Sequence, residues 1–107
     1  MEVLARLLAP CAAIALLSAC AAPFEGRIAR NLSEAGLPRG MADCMAAIWV
    51  DRLSVFQLRE ISRLSSDLRA EGRALTVGRL VERVRQVDDP VIFEVVSTSA
   101  ARCALRL

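Results

Sequence analysis

The chain has no histidine, no lysine and no tyrosine. The missing histidine removes the commonest general base and the commonest metal-binding nitrogen together. No GxSxG, phosphate loop, HExxH, SxxK or haem-type CxxCH is present, so no catalytic motif is available and a non-enzyme is expected. Metal binding needs more ligands than the cysteines supply without histidine, and no metal or other cofactor is expected. The cysteines also form no CxxC pair, which sets aside thioredoxin-like redox chemistry. A net charge of +2 gives no strong field for a polyanion, so nucleic acid is not an expected partner. All 14 basic residues are arginine, a bias that a GC-rich genome accounts for. Repeats and low-complexity tracts are absent, and no apolar run reaches the roughly 20 residues that span a bilayer.

What is present begins with the amino terminus, MEVLARLLAPCAAIALLSA, followed by Cys20. A charged start containing Arg6 leads into an apolar run from Leu7 to Leu17, then into small residues. That run suits the hydrophobic region of a signal peptide. Its end, Leu17-Ser18-Ala19-Cys20, resembles the bacterial lipobox. The resemblance implies cleavage between Ala19 and Cys20, diacylglycerol on the Cys20 thiol and acylation of the new amino terminus. Cys11 fits less well as the lipid site, because Ala9-Pro10 precedes it and the apolar run would be cut short. An uncleaved anchor is too short, and a soluble first helix here would be apolar on every face. Residue 21 is alanine, with no aspartate to resemble an inner-membrane retention signal. For a Gram-negative cell this implies the periplasmic leaflet of the outer membrane. Each buried methylene contributes about 0.8 kcal/mol, so several acyl chains anchor where one alone is marginal. The expected organisation is a signal peptide over 1–19, a lipidated tether over 20–24 and one small domain over 25–107.

Helical periodicity dominates the domain. Ile28, Leu32 and Ala35 form a stripe, stopped by Gly36 and Pro38. A second segment over about 39–52 carries Met41, Cys44, Met45, Ile48 and Trp49. Ser54 with Gln57 reads as a capping box opening a third helix, with Val55, Leu58, Ile61, Leu64 and Leu68 on its inner face and Gly72 at its close. A fourth, about 76–87, starts at Thr76 and turns inward Val77, Leu80, Val81, Val84 and Val87. The last starts at Asp89-Pro90, an N-cap with proline at the first helical position. Strand propensity runs high over Val91–Val96. The stripe Ile92, Val96, Ser99, Cys103 against a polar one of Glu94, Thr98, Arg102, Arg106 favours helix instead. The expected fold is all-α: a compact bundle of four or five short helices.

Cys44 and Cys103 remain once Cys20 is acylated, each on the apolar stripe of its helix. An even pair in an exported domain predicts a disulfide. Met41, Met45 and Trp49 share a four-residue spacing and Phe56 follows, a pattern that serves a core or a groove for a hydrophobic ligand. Phe24 sits beside the tether and suits either the membrane interface or the first helix. Arg79, Arg83 and Arg85 make the fourth helix basic, with Glu82 placed to pair with Arg79 or Arg85. Asp88 and Asp89 read as caps, while Asp43, Asp51, Glu60, Asp67 and Glu71 fall on polar faces. The expected function is that of an outer-membrane-anchored module that braces or binds another envelope protein. The alternative is a carrier or sensor of a small hydrophobic ligand using the Met/Trp/Phe stripe. The mature part resembles uncharacterised short helical lipoproteins of high-GC Gram-negative bacteria, from which no functional residue is carried over.

Overall fold

A computed structural model describes residues 23–106, which form five helices and no strand. The first, α1, is described over 23–35. It is followed by α2 (Arg39–Arg52), α3 (Val55–Ala70), α4 (Val77–Gln86) and α5 (Pro90–Arg106). Pro23 and Phe24, assigned above to the tether, are already helical.

Local sequence sets the ends. Ser54 Oγ accepts the Gln57 N–H at 3.3 Å and Gln57 Oε1 accepts the Ser54 N–H at 2.9 Å, closing the capping box. Thr76 Oγ1 accepts the Arg79 N–H and so starts α4. Asp89 Oδ1 takes the N–H groups of Val91 and Ile92 at 3.0 and 3.2 Å, which supplies the cap that offsets the strand propensity of Val91–Val96. Asp88 stands exposed in the turn before it. Gly36 ends α1 at φ +130°, and the Leu75 N–H donates to Ala35 O at 2.8 Å beside it. A side chain at Gly36 would put its Cβ 2.8 Å from that nitrogen, so this approach of chain to chain requires glycine.

The helices alternate in direction. Asn31 Nδ2 donates to Ser65 Oγ at 3.2 Å and Arg69 pairs with Glu34 at 2.8 Å, so α1 and α3 run parallel. Cys44 meets Cys103 and Trp49 meets Ser99, so α2 and α5 run antiparallel. Arg85 lies over the Phe93 ring at 5.5 Å, which joins the end of α4 to the start of α5. Gln57 Nε2 donates to Asp89 Oδ2, so one end of the bundle gathers the first described residues of α1 and the starts of α3 and α5 with the ends of α2 and α4.

α5 packs against both α2 and α4, and its Ile92, Val96 and Cys103 are fully buried. The core also takes Ile28 and Leu32 from α1, Leu58, Ile61 and Leu68 from α3, and Leu80 and Val84 from α4. Val77, Val81, Val87 and Leu64 pack against it from the rim, as does Phe24, which thereby covers the bundle. Two expectations for α3 need correcting. Val55, expected inside, is exposed, because its first-turn position overhangs the core that Leu58 enters one turn later. Phe56 is exposed as well. The break at Leu53-Ser54 resets the helical phase, and Phe56 lies two residues, about 200° of helix rotation, from the buried Leu58.

Candidate functional site

The residues singled out by the sequence fall mainly along the seam between α2 and α5. Cys44 and Cys103 form a disulfide with Cα atoms 5.9 Å apart, inside the range that the bond permits. One turn along, Trp49 Nε1 donates to Ser99 Oγ at 2.8 Å, and Ser99 Oγ donates to Val96 O at 2.9 Å. Every polar atom of this buried chain thus has a partner, which a water-excluded site demands. Met41, Met45 and Trp49 are all buried in the core. Phe56 is not with them, so the four residues do not share a groove.

Two clefts on the described surface have a different lining. One lies beside the seam, about 220 Å³, bounded by Ile48, Arg52, Glu94, Val95, Thr98, Ser99 and Arg102. Its charged walls and small volume differ from the apolar pockets of about 300–1,000 Å³ that hold small hydrophobic ligands. A wider depression of about 390 Å³ between α1 and α2 is bounded partly by Arg30, Glu34, Arg39 and Asp43. Neither is lined by the methionines or by Trp49. No three His, Cys, Asp or Glu residues come together for a metal ion among the described residues.

The basic face of α4 is held from outside its own helix. Glu71, which caps the end of α3, receives Arg79 at 3.0 Å through one oxygen and Arg83 through the other. The hydrogen bond and charge of Arg83, then the charge of Arg79, hold the Glu71 carboxyl below its ordinary range. Arg79 therefore goes to Glu71 and not to Glu82, while Glu82 reaches Arg85 only at 4.0 Å. Nothing in the spacing of α4 announces this; it depends on the turn that brings Glu71 back over the helix.

At the opposite end, Gln57 Nε2 donates to Asp89 Oδ2 at 3.2 Å and so links the caps of α3 and α5. The Gln57 bond, then the Ile92 and Val91 N–H groups, lower the Asp89 pKa. A lowered folded-state value contributes stability that is complete above the unfolded value and lost as pH falls through the folded one. Asp89→Asn should therefore be less stable than wild type at pH 7, and the gap should shrink below the ordinary carboxylate range. Urea denaturation at pH 7 and at pH 3 measures it. An unchanged gap would mean that the carboxylate charge contributes nothing to the cap.

Ala19 and Cys20, the expected cleavage and lipidation residues, lie outside the described residues. No helix among the described residues is long and apolar enough to cross a membrane. Compared with protein-family models, with curated proteins and with solved structures, the chain matches none.

Proposed function

We propose that this protein is a lipoprotein held by acyl chains on Cys20 at the periplasmic face of the outer membrane, where its helical domain serves as a structural or protein-interaction module of the envelope. The observation that carries the reading is Leu17-Ser18-Ala19-Cys20 at the end of the apolar run. The disposition of the other cysteines supports it. A disulfide between Cys44 and Cys103 suits an oxidising compartment, and it consumes both cysteines of the domain. The burial of Met41, Met45 and Trp49 favours the interaction module over a carrier, because those side chains fill the core. The domain has no catalytic role in this reading. Its partner is an envelope protein, with the membrane as its anchor.

Cys20→Ser should abolish metabolic labelling with a fatty acid and leave a larger, unprocessed precursor. Cys11→Ser should change neither. Persistent labelling in the first variant, or its loss in the second, would overturn the assignment. Crosslinking in intact envelopes followed by capture of the lipidated protein then identifies what the module holds.

A further inference from the structure

The helix directions fix the end of the bundle at which the described chain begins. The α1–α3 pairs Asn31–Ser65 and Glu34–Arg69 have sequence offsets of 34 and 35. In parallel helices the same offset carries Pro23 to the level of Gln57, at the start of α3. The Gln57–Asp89 bond sets the start of α5 beside it. This is also the end where the bundle leaves apolar side chains in solvent. Phe56 is 80% exposed, Val55 52% and Val91 47%, all in the first turns of α3 and α5. Leu105, 89% exposed, is the one other large exposed hydrophobic among the described residues, and it lies at the far end, in the last turn of α5.

We propose that this pole of the domain rests in the membrane interface, with Phe56, Val55 and Val91 meeting the boundary between headgroups and acyl chains. The proposal rests on the lipoprotein reading and adds a fixed orientation to it. Its occupant follows from the level at which Pro23 lies in the bundle. From Cys20 to Pro23 is three residue steps, which even fully extended span only about 10–11 Å. Acyl chains on Cys20 therefore bring the bilayer surface within that distance of the pole. Phe24 packs against the core, so the last link to the anchor is fixed to the bundle. Aromatic and aliphatic side chains on a surface so placed bury their area at the acyl boundary, as the apolar face of an interfacial helix does. Arg59, exposed one turn behind Phe56 on α3, can extend its guanidinium toward the headgroups while its stem covers apolar surface. The opposite pole, with Glu71, Arg79 and Arg83, then faces the periplasm and is free for a partner.

The test uses the full lipidated protein, its acylation verified by intact mass, in vesicles of phosphatidylethanolamine and phosphatidylglycerol containing lipids brominated high on the acyl chain. Phe56→Trp and Leu105→Trp are each compared with wild type, where Trp49 alone sets the baseline. Both positions are exposed, so neither change threatens the core. Brominated lipid should quench the emission added at position 56 and leave that added at position 105 intact. Equal quenching at both positions, or none at 56 in acylated and vesicle-bound protein, overturns the orientation. A crosslinked dimer in that unquenched sample would identify a second copy as the occupant of the patch. Protein that carries no acyl mass overturns the lipoprotein reading itself, and the orientation with it.

Discussion

Reduction of the Cys44–Cys103 bond should lower the melting temperature of the domain by roughly 15–30 °C. The bond closes a loop with a sequence separation of 59, most of the described chain. In the chain-entropy model such a loop stabilises the folded state by about 4 kcal/mol, chiefly by restricting the unfolded ensemble. For a domain of this size each kcal/mol moves the midpoint by about 4–8 °C, which gives the range. The effect is large because the domain is small: its core offers limited apolar area to offset the entropy of ordering the chain. The bond also ties α2 to α5, the seam on which Trp49 and the buried face of α5 depend. Reduction leaves the side chains in place, whereas Cys103→Ser also puts a hydroxyl at a fully buried position. The serine variant should therefore melt lower than the reduced protein, while fatty-acid labelling at Cys20 stays intact. Differential scanning calorimetry with and without reductant measures the first effect. A shift of a few degrees, or free thiols at both positions in protein taken from the envelope, would count against a stabilising bridge.

Features that a single helix carries within itself were legible in the sequence. Ser54 and Gln57 are three residues apart and cap each other, and Asp89 precedes Pro90 and accepts the N–H groups of Val91 and Ile92, so each cap forms within the first turn of its own helix. The two cysteines were assignable because each lies on its own helix's apolar stripe, and both stripes enter one core. Features that depend on how helices meet were not legible. Asn31 and Ser65 are buried and bonded to each other only because α1 and α3 run side by side, and neither residue type advertises burial. Glu71 takes Arg79 and Arg83 because Gly72, at φ +69°, lets the chain turn back after α3. Phe56 lies outside the stripe for a related reason. Its spacing from Trp49 has meaning only within one helix, and the break at Leu53-Ser54 separates them. The Met41, Met45 and Trp49 pattern served core and groove equally, since both place apolar side chains on one face. Burial separates them, and the cleft beside the seam is lined by Arg52, Glu94 and Arg102.

Trp49→Ala should destabilise the domain by about 3–5 kcal/mol, the range for removing a buried large aromatic side chain. Trp49 is the largest of the fully buried side chains, and it stands where α2 meets α5. Against a total stability of about 5–15 kcal/mol, with small domains at the low end, the loss leaves a marginal fold even with the disulfide intact. Under reducing conditions the variant should be unfolded at 25 °C by circular dichroism. Two gentler variants separate packing from hydrogen bonding. Ser99→Ala keeps the indole but strands its buried N–H, a cost of about 1–3 kcal/mol. Trp49→Phe keeps most of the ring area and leaves Ser99 its bond to Val96 O, so it loses packing without stranding a donor. Once the indole is gone, the acceptor at position 99 has no donor left to satisfy. Trp49→Phe/Ser99→Ala should therefore be less costly than the sum of its parts, by about 0.5–3 kcal/mol, the coupling typical of residues in direct contact. Urea denaturation of the four proteins closes the cycle. Strict additivity would mean that the indole N–H is satisfied by something other than Ser99, and that the contact at 2.8 Å contributes shape alone.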